Sequence, residues 1–100
     1  MKSINASELC DLDTGKATLV DIRSEEEFEL KNIDGSINIP FDKISTCLSK
    51  LPENKPVYVL CRTGDLSAEV VEILDDRGYD AYNIEGGYAA YTAYLAASEM

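Results

Sequence analysis

A chain of 100 residues has room for one domain, expected here over residues 1–100. Its 45% hydrophobic content is enough for a packed core and excludes an intrinsically disordered chain. Nineteen acidic against nine basic side chains leave a formal charge of -10, with no basic half (six bases and ten acids up to residue 50, three and nine after it), so nucleic acid and membrane surfaces are not expected partners.

The absence of histidine removes the Ser-His-Asp and Cys-His nucleophilic pairs and the commonest transition-metal ligand. Cys10, Cys47 and Cys61 form no CxxC pair, and an odd, widely spaced set fits neither a zinc site nor a disulfide framework. No metal or cofactor is expected, and a reducing cytoplasm is the expected compartment. Met1 to Asn5 leads into a polar stretch without the apolar core of a secretory signal. The most apolar segment, Tyr88 to Ala97, is interrupted by Thr92 and too short to span a bilayer.

The first helix is expected to open at Asn5, three residues before Glu8 in a capping-box pattern, and to run to about Leu12. Ala17 to Ile22 is short, apolar and partly β-branched, as in a strand buried in a parallel sheet. Ser24 and Glu27 repeat the capping-box spacing and start a second helix ending near Lys31, with acids at its positive end. Ser36 to Ile39 alternates and ends at Pro40, giving a brief strand. Ile44, Leu48 and Leu51 predict one amphipathic helix from Asp42 to Leu51. Val57 to Leu60 is the most strand-like run, and Ser67, Val70, Val71 and Leu74 put an apolar stripe on a helix that stops at Gly78. Asp80 to Ile84 is the last expected strand, Gly86-Gly87 a turn, and Tyr88 to about Ser98 a closing helix. Strands alternating with helices predict an α/β fold with a parallel sheet covered on both faces.

In such sheets ligands gather at the carboxyl ends of strands, beside helix N-termini. Cys61 stands at that place, ahead of Arg62-Thr63-Gly64-Asp65-Leu66-Ser67. If that loop curls around the sulfur, its amides and the following helix favour thiolate without histidine, and the hydroxyls of Thr63 and Ser67 are candidate further donors. Position alone leaves open the alternative that Cys61 is a small buried hydrophobe at a strand end.

Four stretches resemble one family. Leu19 to Phe28 resembles its "vDvRepeEf" phrase and Asn32 to Pro40 its "hIpGAinIP". Val57 to Gly64 with Ser67-Ala68 resembles "vvvyCrsG" and the following "SA", and Tyr82 to Gly87 resembles "vynleGG". In the same order across nearly the whole chain, these are landmarks of rhodanese-like single-domain sulfurtransferases. The resemblance implies a mainly parallel central sheet of about five strands with helices on both faces. It also implies movement of sulfane sulfur from a small-molecule or protein donor to a thiol acceptor through a persulfide on Cys61, with Arg62, Thr63, Gly64, Asp65, Leu66 and Ser67 around the substrate.

Many active members carry a second basic residue near the fifth position after the cysteine, where this chain has Leu66 preceded by Asp65. One cation and one anion near a dianion predict poor use of thiosulfate and a less charged donor, Leu66 offering an apolar port. Asn32 and Tyr91 replace the family's frequent histidine and tryptophan at positions not usually catalytic. Asp21 and Arg23 read as a buried or loop-anchoring ion pair with direct substrate contact as the alternative, Arg62 as an anion contact or a solvated side chain, and Glu25, Glu26, Glu27 and Glu29 as a solvated helix face. The tyrosines from Tyr79 onward read as packing residues, and Cys10 or Cys47 as core or surface residues with a resolving thiol as the alternative.

A phosphatase on the same fold requires an arginine six positions after the cysteine, where Ser67 stands. Two more functions are compatible with the resemblance: a non-catalytic module that senses persulfide or redox state or binds a protein, and a detached domain of a persulfide or coenzyme A disulfide reductase. An opening Met1 and a close soon after a helix fit a free-standing protein better than a detached domain.

Overall fold

The computed structural model describes residues 1–99. Five parallel strands, β1 (Lys2–Ile4), β2 (Thr18–Asp21), β3 (Ile37–Asn38), β4 (Val57–Leu60) and β5 (Ala81–Ile84), form one sheet in the order β1-β5-β4-β2-β3. The helices are α1 (Ala6–Cys10), α2 (Glu25–Leu30), α3 (Ile44–Cys47), α4 (Asp65–Asp76) and α5 (Gly87–Ser98). The α/β architecture with helices on both faces is as expected. β1 is the unpredicted strand: a three-residue edge with one buried side chain carries too little alternation to be read.

Strand periodicity decides what each face holds. Val57, Val59 and Cys61 point with Val20 and Ile22 into a core closed by Ile44, Leu48, Val70, Val71 and Leu74 of the α3 and α4 side. Leu19, Leu60 and Ile84 point the other way, onto Leu9 of α1 and Tyr88 and Tyr91 of α5. Tyr79, Tyr82, Tyr88 and Tyr91 pack as expected, whereas Tyr94 is exposed: Tyr82 stacks on Tyr58 at 4.7 Å, and the buried Tyr79 hydroxyl donates to the Leu48 and Leu51 carbonyls at 2.9 and 3.2 Å.

The helix expected over Asp42 to Leu51 is three short pieces instead: a 3₁₀ turn at Phe41–Lys43, α3, and a second 3₁₀ turn at Leu48–Lys50. Ile44, Leu48 and Leu51 still meet the core, so the apolar spacing held while the helix did not. Neither α3 nor the flanking turns has a side-chain cap, and Ser45, Thr46 and Ser49 are weak helix formers, so tertiary packing sets the backbone. Among the described residues no helix is long and apolar enough to cross a membrane.

Candidate active site

β4 ends at Leu60, and the next side chain on the α4 face is Cys61, 4% exposed. The loop then turns at Gly64, whose φ of +95° is a left-handed conformation suited to glycine, and α4 begins. This turn brings the Gly64 amide to 3.0 Å and the Ser67 amide to 3.4 Å from Cys61 Sγ, with Ser67 Oγ at 3.2 Å. Burial pushes the Cys61 thiol up, but the Ser67 hydroxyl and the amides of Ser67, Gly64 and Thr63 together outweigh it, so the thiol lies below its ordinary value.

The loop is braced from behind. Tyr88 N–H donates to the Cys61 carbonyl at 2.8 Å and Ala89 N–H to the Arg62 carbonyl at 3.0 Å. Asn83 Nδ2 donates to the Gly64 carbonyl at 3.1 Å. Because a trans peptide aims its N–H opposite its C=O, tying the Arg62 carbonyl to α5 fixes the direction of the Thr63 amide, one of those that lower the Cys61 thiol, and the other two bonds hold the loop on either side of it. The brace requires bare backbone, since a Cβ on Gly87 would lie 2.4 Å from the Cys61 carbonyl oxygen. Asn83 also accepts the Ser67 hydroxyl on Oδ1. With the thiol protonated, S–H donates to Ser67 Oγ; ionisation leaves sulfur as an acceptor to which that hydroxyl turns.

Cys61 lines a cavity of about 550 Å³ with an apolar wall of Ile22, Pro40, Phe41 and Leu66 and a rim that includes Glu27, Asp42 and Arg62. Arg23 reaches its edge but is committed elsewhere. Its guanidinium grips the fully buried Asp21 through Nε and Nη2, donates to the Lys31 carbonyl at 2.7 Å and lies 3.9 Å over the Tyr88 ring. Asp21 and Arg23 are thus a buried pair anchoring loop to sheet, as expected. Among the described residues no group of three His, Cys, Asp or Glu is placed to hold a metal ion. What the arrangement can do is hold and present a nucleophilic sulfur anion to a compact ligand.

The Rhodanese-like domain model matches residues 6–94. The chain belongs to the rhodanese-like family. It is 34% identical over 89 residues to a tRNA sulfurtransferase of Desulfurococcus amylolyticus, covering 89% of this chain and 18% of that protein. A rhodanese-like domain protein from Staphylococcus aureus superposes with a TM-score of 0.84 at 39% identity, over 91% of each chain. Reduced Bacillus anthracis CoADR-RHD superposes with a TM-score of 0.89 at 28% identity, over 97% of this chain and 17% of that one. The chain spans between 18% and 25% of the length of three relatives named as sulfurtransferases.

In this rhodanese-like domain the expected loop residues divide by role. Gly64 and Ser67 contact the sulfur, and Leu66, 47% exposed, walls the cavity. The Thr63 hydroxyl turns to Asp65 at 3.4 Å instead of to sulfur, although Thr63 lines the cavity. Asp65 does not line it; the carboxylates at the mouth are Glu27 and Asp42. Arg62 is neither free nor merely solvated, for its Nη2 lies 2.9 Å from Glu27 Oε2, which corrects the reading of Glu27 as part of a solvated face. Asn83 is the other residue sequence reasoning did not assign to the site; its alternation with Ala81 puts it on the Cys61 face, but its partner could be found only in three dimensions. Cys10 is exposed and Cys47 half-buried, each lining a cavity other than that of Cys61.

Proposed function

We propose that this domain is a sulfurtransferase whose Cys61 carries sulfane sulfur as a persulfide. The convergence of the Gly64 and Ser67 amides and the Ser67 hydroxyl on Sγ, at the floor of an open cavity, carries the reading. The Cys61 thiolate attacks the outer sulfur of the donor; a new S–S bond forms and the donor's bond to that sulfur breaks, its electron pair leaving with the donor remnant. An acceptor thiolate then attacks the outer sulfur of the persulfide, and the electron pair of the Cys61 S–S bond returns to Sγ. The cycle needs no external oxidant or reductant, and the helix N-terminus and amides stabilise the negative sulfur at each stage.

Thiosulfate is a poor donor for this site. Arg23 is matched by Asp21 and Arg62 by Glu27, while Asp42 adds a carboxylate, so a dianion meets no surplus of positive charge. A low-molecular-weight persulfide, polysulfide or protein persulfide suits the apolar wall better.

The likeness to CoADR-RHD favours one second reading, in which the domain serves a larger protein and is charged once per cycle of a partner domain. Intact mass after polysulfide treatment tests both. The expected gain is one sulfur atom, absent in Cys61→Ser and discharged repeatedly by added thiol. Charging without repeated discharge by free thiol supports a persulfide-sensing module in place of a transferase, and no Cys61-dependent gain overturns sulfur carriage.

A further inference from the structure

The same sequence pattern, a capping residue followed three positions later by Glu, opens both α1 and α2, and the two glutamates do different things. In α1 the box closes: Asn5 Oδ1 accepts the Glu8 amide and Glu8 Oε1 accepts the Asn5 amide at 3.2 Å. In α2 the Ser24 side chain accepts the Glu27 amide, but the Glu27 carboxylate does not return to the Ser24 amide. Oε1 accepts the Ser24 hydroxyl at 3.2 Å, and Oε2 takes the guanidinium of Arg62, 35 residues away and next to Cys61. Glu27 thus keeps the Ser24 hydroxyl on one oxygen and turns the other to a pair across the mouth of the cavity. The Glu27 side chain is 34% exposed and that of Arg62 71%, so water screens the pair and its coupling is modest, of the order of a few-fold in affinity.

The consequence falls on charge. Arg62 is the cation that follows Cys61, and the other guanidinium at the cavity, that of Arg23, is closed by three contacts to buried Asp21. We infer that Glu27 is a specificity-determining residue: by holding Arg62 it withholds that guanidinium from the sulfur donor and biases the cavity toward donors of low negative charge over dianions. The inference rests on Cys61 being the sulfur carrier. The Arg62 bond also holds the Glu27 carboxyl below its ordinary value, which keeps the pair ionised at neutral pH.

Two donors of one reaction class read this out. Thiosulfate is a dianion and methanethiosulfonate a monoanion; each gives its outer sulfur to Cys61 as the S–S bond breaks, with sulfite or methanesulfinate departing with the electron pair. Comparing kcat/KM for the two with one acceptor thiol, wild type prefers the monoanion. Glu27→Gln shrinks that preference about tenfold through a lower KM for thiosulfate, and in an Arg62→Gln background the same change shrinks it only about threefold, the part owed to simple loss of a negative charge. Arg62→Gln alone widens the preference, so the cycle can be read from either side of the pair. An equal effect of Glu27→Gln in both backgrounds, or none, with sulfur still loading onto Cys61, overturns the inference and leaves the proposed function standing. Failure of both donors and of polysulfide to load Cys61 in wild type overturns the proposed function itself.

Discussion

At the scale of single residues, the sulfur depends on one hydroxyl with two partners. Ser67 is fully buried and its Oγ sits between Cys61 Sγ and Asn83 Oδ1. Ser67→Ala removes the one proton that serves Asn83 Oδ1 while the thiol is protonated and the sulfur once it ionises, costing about 1–3 kcal/mol of stability. Denaturant unfolding checks the cost, and the alkylation midpoint of Cys61 moves up in the variant, because what is lost favoured the charged form. Cys61, its loop and its place at a strand end were legible in the sequence because cysteine, glycine and helix start follow one another within a few residues. Asn83 and Glu27 were not, because each meets the site through a contact between distant segments: 16 residues separate Asn83 from Ser67 and 35 separate Glu27 from Arg62.

At the scale of elements, the brace behind the loop is the N-terminus of α5. Its first amides hold the Cys61 and Arg62 carbonyls, and Gly86 and Gly87 enter with φ of +72° and +60°. Gly87→Ala adds a methyl group where the nearest carbonyl oxygen is 2.4 Å away, at a φ that disfavours any side chain. The expected cost is about 2–4 kcal/mol, together with loss of sulfur loading as the loop amides swing from Sγ. Thermal unfolding and intact mass after polysulfide treatment check the two parts; a variant that is destabilised yet loads sulfur normally shows that the brace holds the fold but not the cradle. Elements with a clear local signal were readable: β2 and β4 from their apolar runs, α4 from its apolar stripe, and α1 and α2 from their caps all fall within a residue or two of expectation. The Asp42 to Leu51 stretch was not, because its apolar spacing is equally satisfied by 3₁₀ turns pressed onto the core.

At the scale of the whole molecule, alternation along β4 turns Val57, Val59 and Cys61 to one face, so the packing that buries the core also fixes the Cys61 sulfur. The net charge of -10 acts on every anionic donor before it reaches the mouth. Raising ionic strength from about 0.02 to about 0.3 M screens that repulsion and raises kcat/KM for thiosulfate more than for methanethiosulfonate; equal responses contradict a role for the molecule's overall field. Composition made this field legible from the outset, whereas the pairing of Arg62 with Glu27 that shapes its local part was visible only in the folded chain.

The central claim is that peptide amides and one hydroxyl hold the Cys61 sulfur as an anion without histidine. The rate of iodoacetamide alkylation against pH, in a Cys10→Ser, Cys47→Ser background where Cys61 alone reports, measures it directly. Because the folded chain favours the charged form, the thiolate appears at lower pH than in an unfolded chain, so the midpoint falls below the ordinary cysteine value of about 8.5 and returns to it in denaturant. A folded-state midpoint at or above the denatured one contradicts the account.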